Sequence, residues 1–416
     1  MASVNRPLRI ALLSYRSKPH SGGQGVYVRH LSRELAAAGH HVEVFSGQPY
    51  PELDDGPLLR PVPSLDLYRD EDPFRTPGRD EIRDWADVLE TVMMWGGAFP
   101  EPLTFSIRAL RALARRPGEF DVVHDNQGLG YGMLGVPRLG LPMVTSIHHP
   151  ITVDKRLDLA QSSWLQQLNK RRWYGFVRMQ SRVARRAGPL ITVSESSKND
   201  ICRDFRARRQ AVHIVPLGVD TRLFRPRDDG AGPRVPGRIV TVTSADSPLK
   251  GLSTLLRAVA KLVTERDVHL IVIGIPSPAT RKQAAQLDLA DKVTFVSGLP
   301  DEAYATMLAS AEIAVIPSLY EGFSLPAVEH MASGTPVIAS RAGALPEVTG
   351  DAAVLVPPGD AEELAAALRK LHDSEGERAS MAERGLARVG ERFAWPAVAA
   401  ATVALYRRAI NGELAC

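Results

Sequence analysis

Residues 318–340 read SLYEGFSLPAVEHMASGTPVIAS. The stretch leaves a strand end, crosses a turn built on Gly322, Ser324 and Pro326, enters a short helix, and closes on the β-branched run 336–340. Glycine and proline punctuate both junctions, so the segment holds one turn–helix–strand unit. Two glutamates, Glu321 and Glu329, stand eight apart around the turn. A helix N-terminus carries partial positive charge and unpaired amides, so one glutamate there can serve simply as a dipole partner. That accounts for Glu329 alone, and not for the pair. Carboxylates on both sides of a glycine turn suggest that something polar is held between them.

The same alternation runs through the whole chain. Short β-branched or aliphatic runs fall at 8–15, 42–47, 121–124, 143–148, 190–194 and 212–216, separated by helical patterns. A second series follows at 238–245, 269–274, 293–298, 313–318, 336–340 and 353–357. Such alternation makes parallel-sheet α/β units. Each series suffices for one sheet, so the expected fold is α/β, with two Rossmann-like parallel-sheet domains facing across a cleft. The aperiodic TRLFRPRDDGAGPRVPGR, 221–238, is the best linker candidate. The expected division is an N-terminal domain at 1–220, a linker at 221–237, a C-terminal domain at 238–392 and a terminal helix at 393–416. Residues 48–82, rich in Pro and Asp without a clear period, read as an irregular insertion. Open α/β sheets bind ligands at the carboxyl ends of their strands, which would put a site in the cleft.

Composition excludes several classes. A chain of 416 residues has two domains of about 200 residues as its natural prior. A net charge of +4 does not imply a nucleic-acid partner. Cys202 and Cys416, the two cysteines, form neither a disulfide framework nor a cysteine zinc site. No apolar run approaches the roughly 20 residues of a membrane span. LRIALLSY, 8–15, reads as a first strand and not as a signal peptide, so the expected location is the cytoplasm. Arginine outnumbers lysine 42 to 9, which suggests a G+C-rich bacterial genome.

Two further constellations carry chemistry. In SYRSKPHSGGQGVYVRHLSRELAAAGHHVEVFSG, 14–47, Gly22, Gly23 and Gly25 lie between a strand and an amphipathic helix. That arrangement lets backbone amides approach a phosphate at a helix N-terminus, although a flexible turn would look the same. A dinucleotide fingerprint needs G-x-G-x-x-G and an acid about twenty residues on. Here the order is G-G-x-G and the next strand ends in Ser46-Gly47, so a nicotinamide reading is weak. In TSADSPLKGLSTLLRAVAKL, 243–262, Lys250-Gly251 opens a helix. A lysine there offers a compact charge to phosphate oxygens, and in a chain that favours arginine its point charge stands out. An ordinary solvated lysine is the plain alternative. At 318–340 the carboxylates suit sugar hydroxyls, and the helix-opening amides suit a phosphate. Together the three stretches describe a nucleotide-diphosphate sugar in an interdomain cleft.

EGFSLPAVEHMASGTPVIASRAGALPEV, 321–348, resembles the E-x7-E signature of retaining GT-B glycosyltransferases of the family-4 type. SGGQGVYVRHLSREL, TSIHH, VPLGVDTRLFRP, LKGLSTLL and AAVLVPPGD follow that family's order across nearly the whole chain. The resemblance implies a catalytic set of Glu321, His148 and Lys250. Glu321 would contact hydroxyls of the donor sugar, with Gly322, Phe323, Ser324 and Leu325 beside it. Glu329 would bind the ribose. Gly22 and Gly23 would approach the diphosphate, and Lys250 would bind it. Val296, Ser297 and Gly298 would lie by the base, His148 beside the transferred sugar, and the last helix would cross back onto the first domain. Some positions depart from the family. Ser244-Ala245 stands where Gly-Arg is usual, which removes one diphosphate-binding guanidinium. Leu217 replaces an asparagine in Pro216–Asp220's motif, and His330 an alanine after Glu329.

The resemblance further implies front-face substitution with retention, the leaving phosphate helping to take the acceptor's proton. Retaining hydrolases instead set two carboxylates about 5 Å apart around the anomeric carbon, and here both glutamates are committed to hydroxyls. A histidine at a strand end is as readily a packed core residue, and His149 should point away from His148. No D-x-D motif stands at a strand end, so neither an obligatory metal nor another cofactor is expected. A UDP-sugar is the first choice of donor and GDP-mannose the second. The acceptor, a small molecule, lipid or glycan, is not legible. KRRWYGFVRMQSRVARR, 170–186, has seven basic residues and no acid. It reads as one amphipathic helix whose apolar side packs on the sheet, and is also a candidate for peripheral contact with the inner membrane face. The rival readings are an epimerase of the same fold and a non-catalytic protein that binds a sugar nucleotide or a membrane surface.

Overall fold

A computed structural model of the protein describes residues 6–18, 23–69, 71–148, 150–152, 155–156, 159, 164–227, 234–243 and 247–414. The expected contributions of Gly22, His149, Ser244 and Ala245 lie outside these residues. The chain divides into two compact units. One comprises Met1–Val193, Ser197–Val215 and Val398–Cys416, the other Ser194–Ser196 and Pro216–Ala397.

The first unit is built on β1 (Arg9–Ser14), β2 (His41–Ser46), β3 (Leu58–Pro61), β4 (Val122–Asn126), β5 (Met143–Ser146), β6 (Leu190–Thr192) and β7 (Val212–Ile214). These form one parallel sheet in the order β3-β2-β1-β4-β5-β6-β7. Its central strands are buried on both faces, and Ile10–Leu13 read accordingly as an unbroken aliphatic run. The helices are α1 (Gly23–Ala37), α2 (Trp85–Trp95), α3 (Glu101–Ala114), α4 (Trp164–Trp173), α5 (Phe176–Ala184) and α6 (Glu195–Phe205).

Two sequence expectations need correction here. Strand β3 lies inside the stretch read as irregular. It is a four-residue edge strand, mostly exposed and ending in proline, so it carries no alternating signal. What registers it is Glu43 of β2, which accepts from Arg60 of β3 at 2.6 Å. The basic stretch 170–186 is not one helix. Alpha-helix α4 ends at Trp173 and α5 begins at Phe176, with Tyr174 and Gly175 between them; glycine inside a helix costs about 1 kcal/mol relative to alanine. On α5 the residues Val177, Met179, Val183 and Ala184 are buried while Arg178 and Arg182 face water, the ordinary packing of an amphipathic helix.

The second unit holds β8 (Arg238–Val242), β9 (His269–Ile273), β10 (Val293–Val296), β11 (Ile313–Ile316), β12 (Val337–Ser340) and β13 (Ala353–Val356), parallel in the order β10-β9-β8-β11-β12-β13. Helices α7 (Leu252–Leu262), α8 (Pro278–Gln286), α9 (Asp301–Ser310), α10 (Leu325–Ala332), α11 (Leu345–Thr349), α12 (Ala361–His372) and α13 (Glu375–Arg392) accompany it. Alpha-helix α7 buries Leu252, Leu255, Leu256, Val259 and Leu262, a one-sided stripe at helical spacing. The last helix, α14 (Trp395–Ile410), belongs from Val398 onward to the first unit. There the hydroxyl of fully buried Tyr406 lies 2.6 Å from His124 Nδ1.

In both sheets the strand order reverses once, at β1/β4 and at β8/β11. Ligands of open α/β sheets bind beside such switch points, past the carboxyl ends of the strands.

Candidate active site

The second unit's switch point is assembled from two loops. After β8 the chain reaches Lys250 and Gly251, the residue before α7. Gly251 has φ +65°, and a Cβ there would sit 1.9 Å from the Pro317 carbonyl oxygen. Only glycine lets the two loops approach this closely, and Leu319 N–H donates to the Leu249 carbonyl at 2.7 Å across the same seam. The approach sets Lys250 beside the loop after β11. Its Nζ donates to Glu321 Oε1 at 2.9 Å, and the Ser318 hydroxyl donates to the same oxygen at 2.7 Å. Glu321 is buried at 9% exposure, so its charge is met inside the protein, as burial requires.

Beyond Glu321 the chain turns into α10. Ser324 precedes it with φ +86° and a buried hydroxyl that has no hydrogen-bond partner among the described residues. The first turn of α10 carries no acid, so its dipole is not compensated from within the helix. Glu329 has a separate setting. Tyr304 of α9 donates to its Oε2 at 2.6 Å. Burial pushes its carboxyl up to about 7, Asp301 adds to the rise, and the Tyr304 hydrogen bond opposes it. The two glutamates thus have different neighbours, one a cation and the other a phenol. Gly322, Phe323 and Leu325 lie in the same opening turn, where Phe323 packs edge-on against Phe393 at 5.7 Å. Val296 ends β10 with its carbonyl accepting from Gly274 N–H at 2.7 Å. Ser297 and Gly298 follow as an exposed loop.

In the first unit, β5 ends at Ser146, two residues short of the expected 148, and His148 follows in the loop. Its backbone N–H donates to Gln127 Oε1 at 3.0 Å, and its Nε2 lies 2.7 Å from Asn126 Oδ1. With the Asn126 amide so placed, Nε2 carries the proton and Nδ1 is the acceptor. The Tyr27 ring meets the imidazole at 4.4 Å and 66°. Burial holds the imidazole well below its usual range, at about 4, so it is neutral near pH 7. Gly23 opens α1. Two residues in, a Cβ on Gly25 would sit 2.0 Å from the Lys18 carbonyl oxygen, which gives the glycine run a packing reason of its own.

Sequence reading did not single out Ser318, Tyr304, Asn126, Gln127 or Tyr27 as site residues. Ser318 stands three residues before Glu321 and could have been found by asking what else the turn offers that carboxylate. The others carry no local signal. Among the described residues no group of three or more His, Cys, Asp or Glu side chains could hold a metal ion, and no helix is long and apolar enough to cross a membrane.

Comparison with known proteins gives this geometry its setting. Residues 21–223 match the family described as Glycosyltransferase Family 4, and 231–388 the family described as Glycosyl transferases group 1. The chain is 56% identical, over 98% of its length and 100% of the relative's, to an MMP alpha-(1->4)-mannosyltransferase of Mycolicibacterium hassiacum. This chain is a glycosyltransferase of the family-4 type. The glycosyltransferase is also 30% identical to a D-inositol 3-phosphate glycosyltransferase of Streptomyces avermitilis, over 99% of this chain and 89% of that one. Its GT-B fold of two parallel-sheet units is shared with sucrose-phosphate synthase from Thermosynechococcus elongatus, at a TM-score of 0.69 and 24% identity, covering 98% and 100% of the two chains. It is shared too with Anabaena HepE in complex with UDP and glucose, at a TM-score of 0.67 and 16% identity over 96% and 99%.

Proposed function

We propose that this glycosyltransferase moves a mannosyl group from a nucleoside-diphosphate mannose to the 4-hydroxyl of a sugar acceptor, with retention of configuration. The near-full-length likeness to an α-(1→4)-mannosyltransferase supports both sugar and linkage. A mannosyl donor favours GDP-mannose, the second choice on the sequence, over the UDP-sugar expected first. The observation that carries the donor assignment is the Lys250–Glu321 contact of 2.9 Å beside the opening turn of α10. A cation and a carboxylate held together before an uncompensated helix mouth offer separate partners to a diphosphate and to the hydroxyls of its sugar.

On this reading Lys250 and the α10 amides stabilise the charge that grows on the departing diphosphate, the main electrostatic demand of the reaction. Glu321 accepts from hydroxyls of the donor sugar, and Glu329 from the ribose. Val296, Ser297 and Gly298 border the base. The anomeric carbon–phosphate oxygen bond breaks, a bond to the acceptor oxygen forms on the same face, and the acceptor's proton passes to the leaving phosphate. Neutral His148 orients the transferred sugar through Nδ1, and the first unit serves the acceptor. Lys250 supplies the positive charge, so no obligatory metal is invoked.

The test is a donor panel. The purified protein is incubated with GDP-mannose, UDP-glucose or an ADP-sugar and a short α-(1→4)-mannoside, with and without EDTA. The product is then analysed by mass spectrometry and anomeric NMR. The expected result is transfer from GDP-mannose, an α-linked product and no loss with chelator. A β-linked product would overturn retention, and transfer from UDP-glucose alone would overturn the donor. Epimer formation without acceptor would establish the rival activity.

A further inference from the structure

Alpha-helix α2, WADVLETVMMW, is turned inside out. Its buried residues include Ala86, Asp87, Glu90 and Thr91, whereas Trp85, Val88, Val92 and Trp95 are 56%, 49%, 54% and 64% exposed. The inward face is held by charge. Arg108 of α3 pairs with Asp87 and with Glu90 at 2.5 Å each. Rolling the helix to bury the valines would leave those buried ions unpaired, a strongly unfavourable state. The apolar stripe is therefore committed outward, with the Arg111 guanidinium over the Trp85 ring at 4.6 Å, and apolar patches of this size on a chain commonly mark a contact surface.

We propose that this face is the contact between two copies of the chain, related by a twofold axis through the middle of α2. The spacing W-x-x-V-x-x-x-V-x-x-W reads the same in both directions. Two antiparallel α2 helices set Trp85 against Trp95 of the partner subunit, and Val88 against Val92 of the partner subunit. Such self-complementarity is what a twofold contact requires. Beside Trp95 lies a groove of about 420 Å³, bordered by Phe74, Gly96, Gly97, Lys170, Arg172 and Trp173. The two glycines leave room in it, and a tryptophan in a pocket is the commonest strong anchor of an interface. The stripe and Phe74, itself 59% exposed, present on the order of 500 Å². Two copies then bury about 1,000 Å², the threshold for a specific interface. An anionic bilayer also suits tryptophan and lysine, but it makes no use of the palindromic spacing or the groove.

Analytical ultracentrifugation of the full chain tests this. The expected species is about twice the 45.3 kDa chain mass. Val92→Asp and Trp85→Ala are each expected to weaken association at least about 100-fold, with far-UV circular dichroism unchanged. Should a variant misfold, hydrogen exchange on the unsubstituted protein reads the same contact, as protection of 85–97 that rises with concentration. A monomer at the highest soluble concentration overturns the proposal. A dimer that survives both substitutions, or one without concentration-dependent protection of 85–97, does so too. Binding of a monomer to phosphatidylserine vesicles, lost in Val92→Asp, would overturn it in favour of a membrane contact.

Discussion

The two sheets carry opposite chemistry past the carboxyl ends of their strands. At β8/β11 a full charge pair, Lys250 and Glu321, is locked by a third partner, Ser318. Past β5 the side chain is an imidazole kept neutral by burial, its ring met by Asn126 and Tyr27 while Gln127 holds its backbone N–H. A charged pair can exchange its internal partner for a ligand of either sign, whereas a neutral ring with one free acceptor can only orient a hydroxyl. On the proposed reading, the first handles the charge that develops in the reaction and the second the geometry of the sugar.

The sharpest way to break this contrast is Glu321→Ala. It should lower kcat/KM by about 10²–10³-fold, the usual scale for losing a preorganised polar contact to the reacting group, with circular dichroism unchanged. Retained turnover would remove Glu321 from the donor site. Lys250→Ala comes next, with a loss of about 10–100-fold in affinity for the nucleoside diphosphate, the scale of a charged hydrogen bond. Calorimetry should find a smaller loss for the free nucleoside, and equal losses would remove the phosphate role. His148→Ala should cost about 10-fold in kcat/KM, as for a neutral hydrogen bond, and His148→Asn should recover part of it. A loss as large as that of Glu321→Ala would abolish the distinction between the two regions.

The smallest effect separates the regions by pH. His148 has its folded value lowered from 6.5 to about 4. Its contribution to stability is therefore present above pH 6.5 and lost as pH falls toward 4. Glu329 has its folded value raised from 4.5 to about 7, so its contribution is present below pH 4.5 and lost as pH rises through 7. Relative to the unsubstituted protein, His148→Asn should gain melting temperature as pH falls from 6.5 to 4. Glu329→Gln should gain it as pH rises from 4.5 to 7. Each change should be on the order of 2 °C. Parallel pH profiles for the two variants would contradict the opposite settings of these groups.

How much of this was legible before folding varies from residue to residue. The central strands announced themselves as aliphatic runs, because parallel strands buried on both faces need little else. Beta-strand β3 did not, because a short exposed edge strand has no pattern beyond the partner it finds. The break at Tyr174 and Gly175 was visible as a glycine, yet the basic residues on either side suggested continuity. Glu321, Glu329 and Lys250 stood out by residue type beside turns. Their partners did not: Lys250 and Glu321 are separated by 71 positions, Tyr304 and Glu329 by 25, and Asn126 and His148 by 22. Alpha-helix α2 is the most instructive case. Its periodicity announces an amphipathic helix, but periodicity cannot say which face is inward, and Arg108 on α3 decides that.

By itself the chain's order of residues determined two parallel α/β sheets, the helix openings at Gly23, Lys250 and Ser324, and membership of a glycosyltransferase family. Periodicity, turn chemistry and motif order are properties of neighbouring residues and survive in a string of letters. Folding alone decided that Lys250 and Ser318 share one oxygen of Glu321, that His148 is neutral, and that α2 keeps its acids inside and its tryptophans out. Those outcomes depend on burial and on contacts between distant residues, which come into being only when the sheets and helices pack.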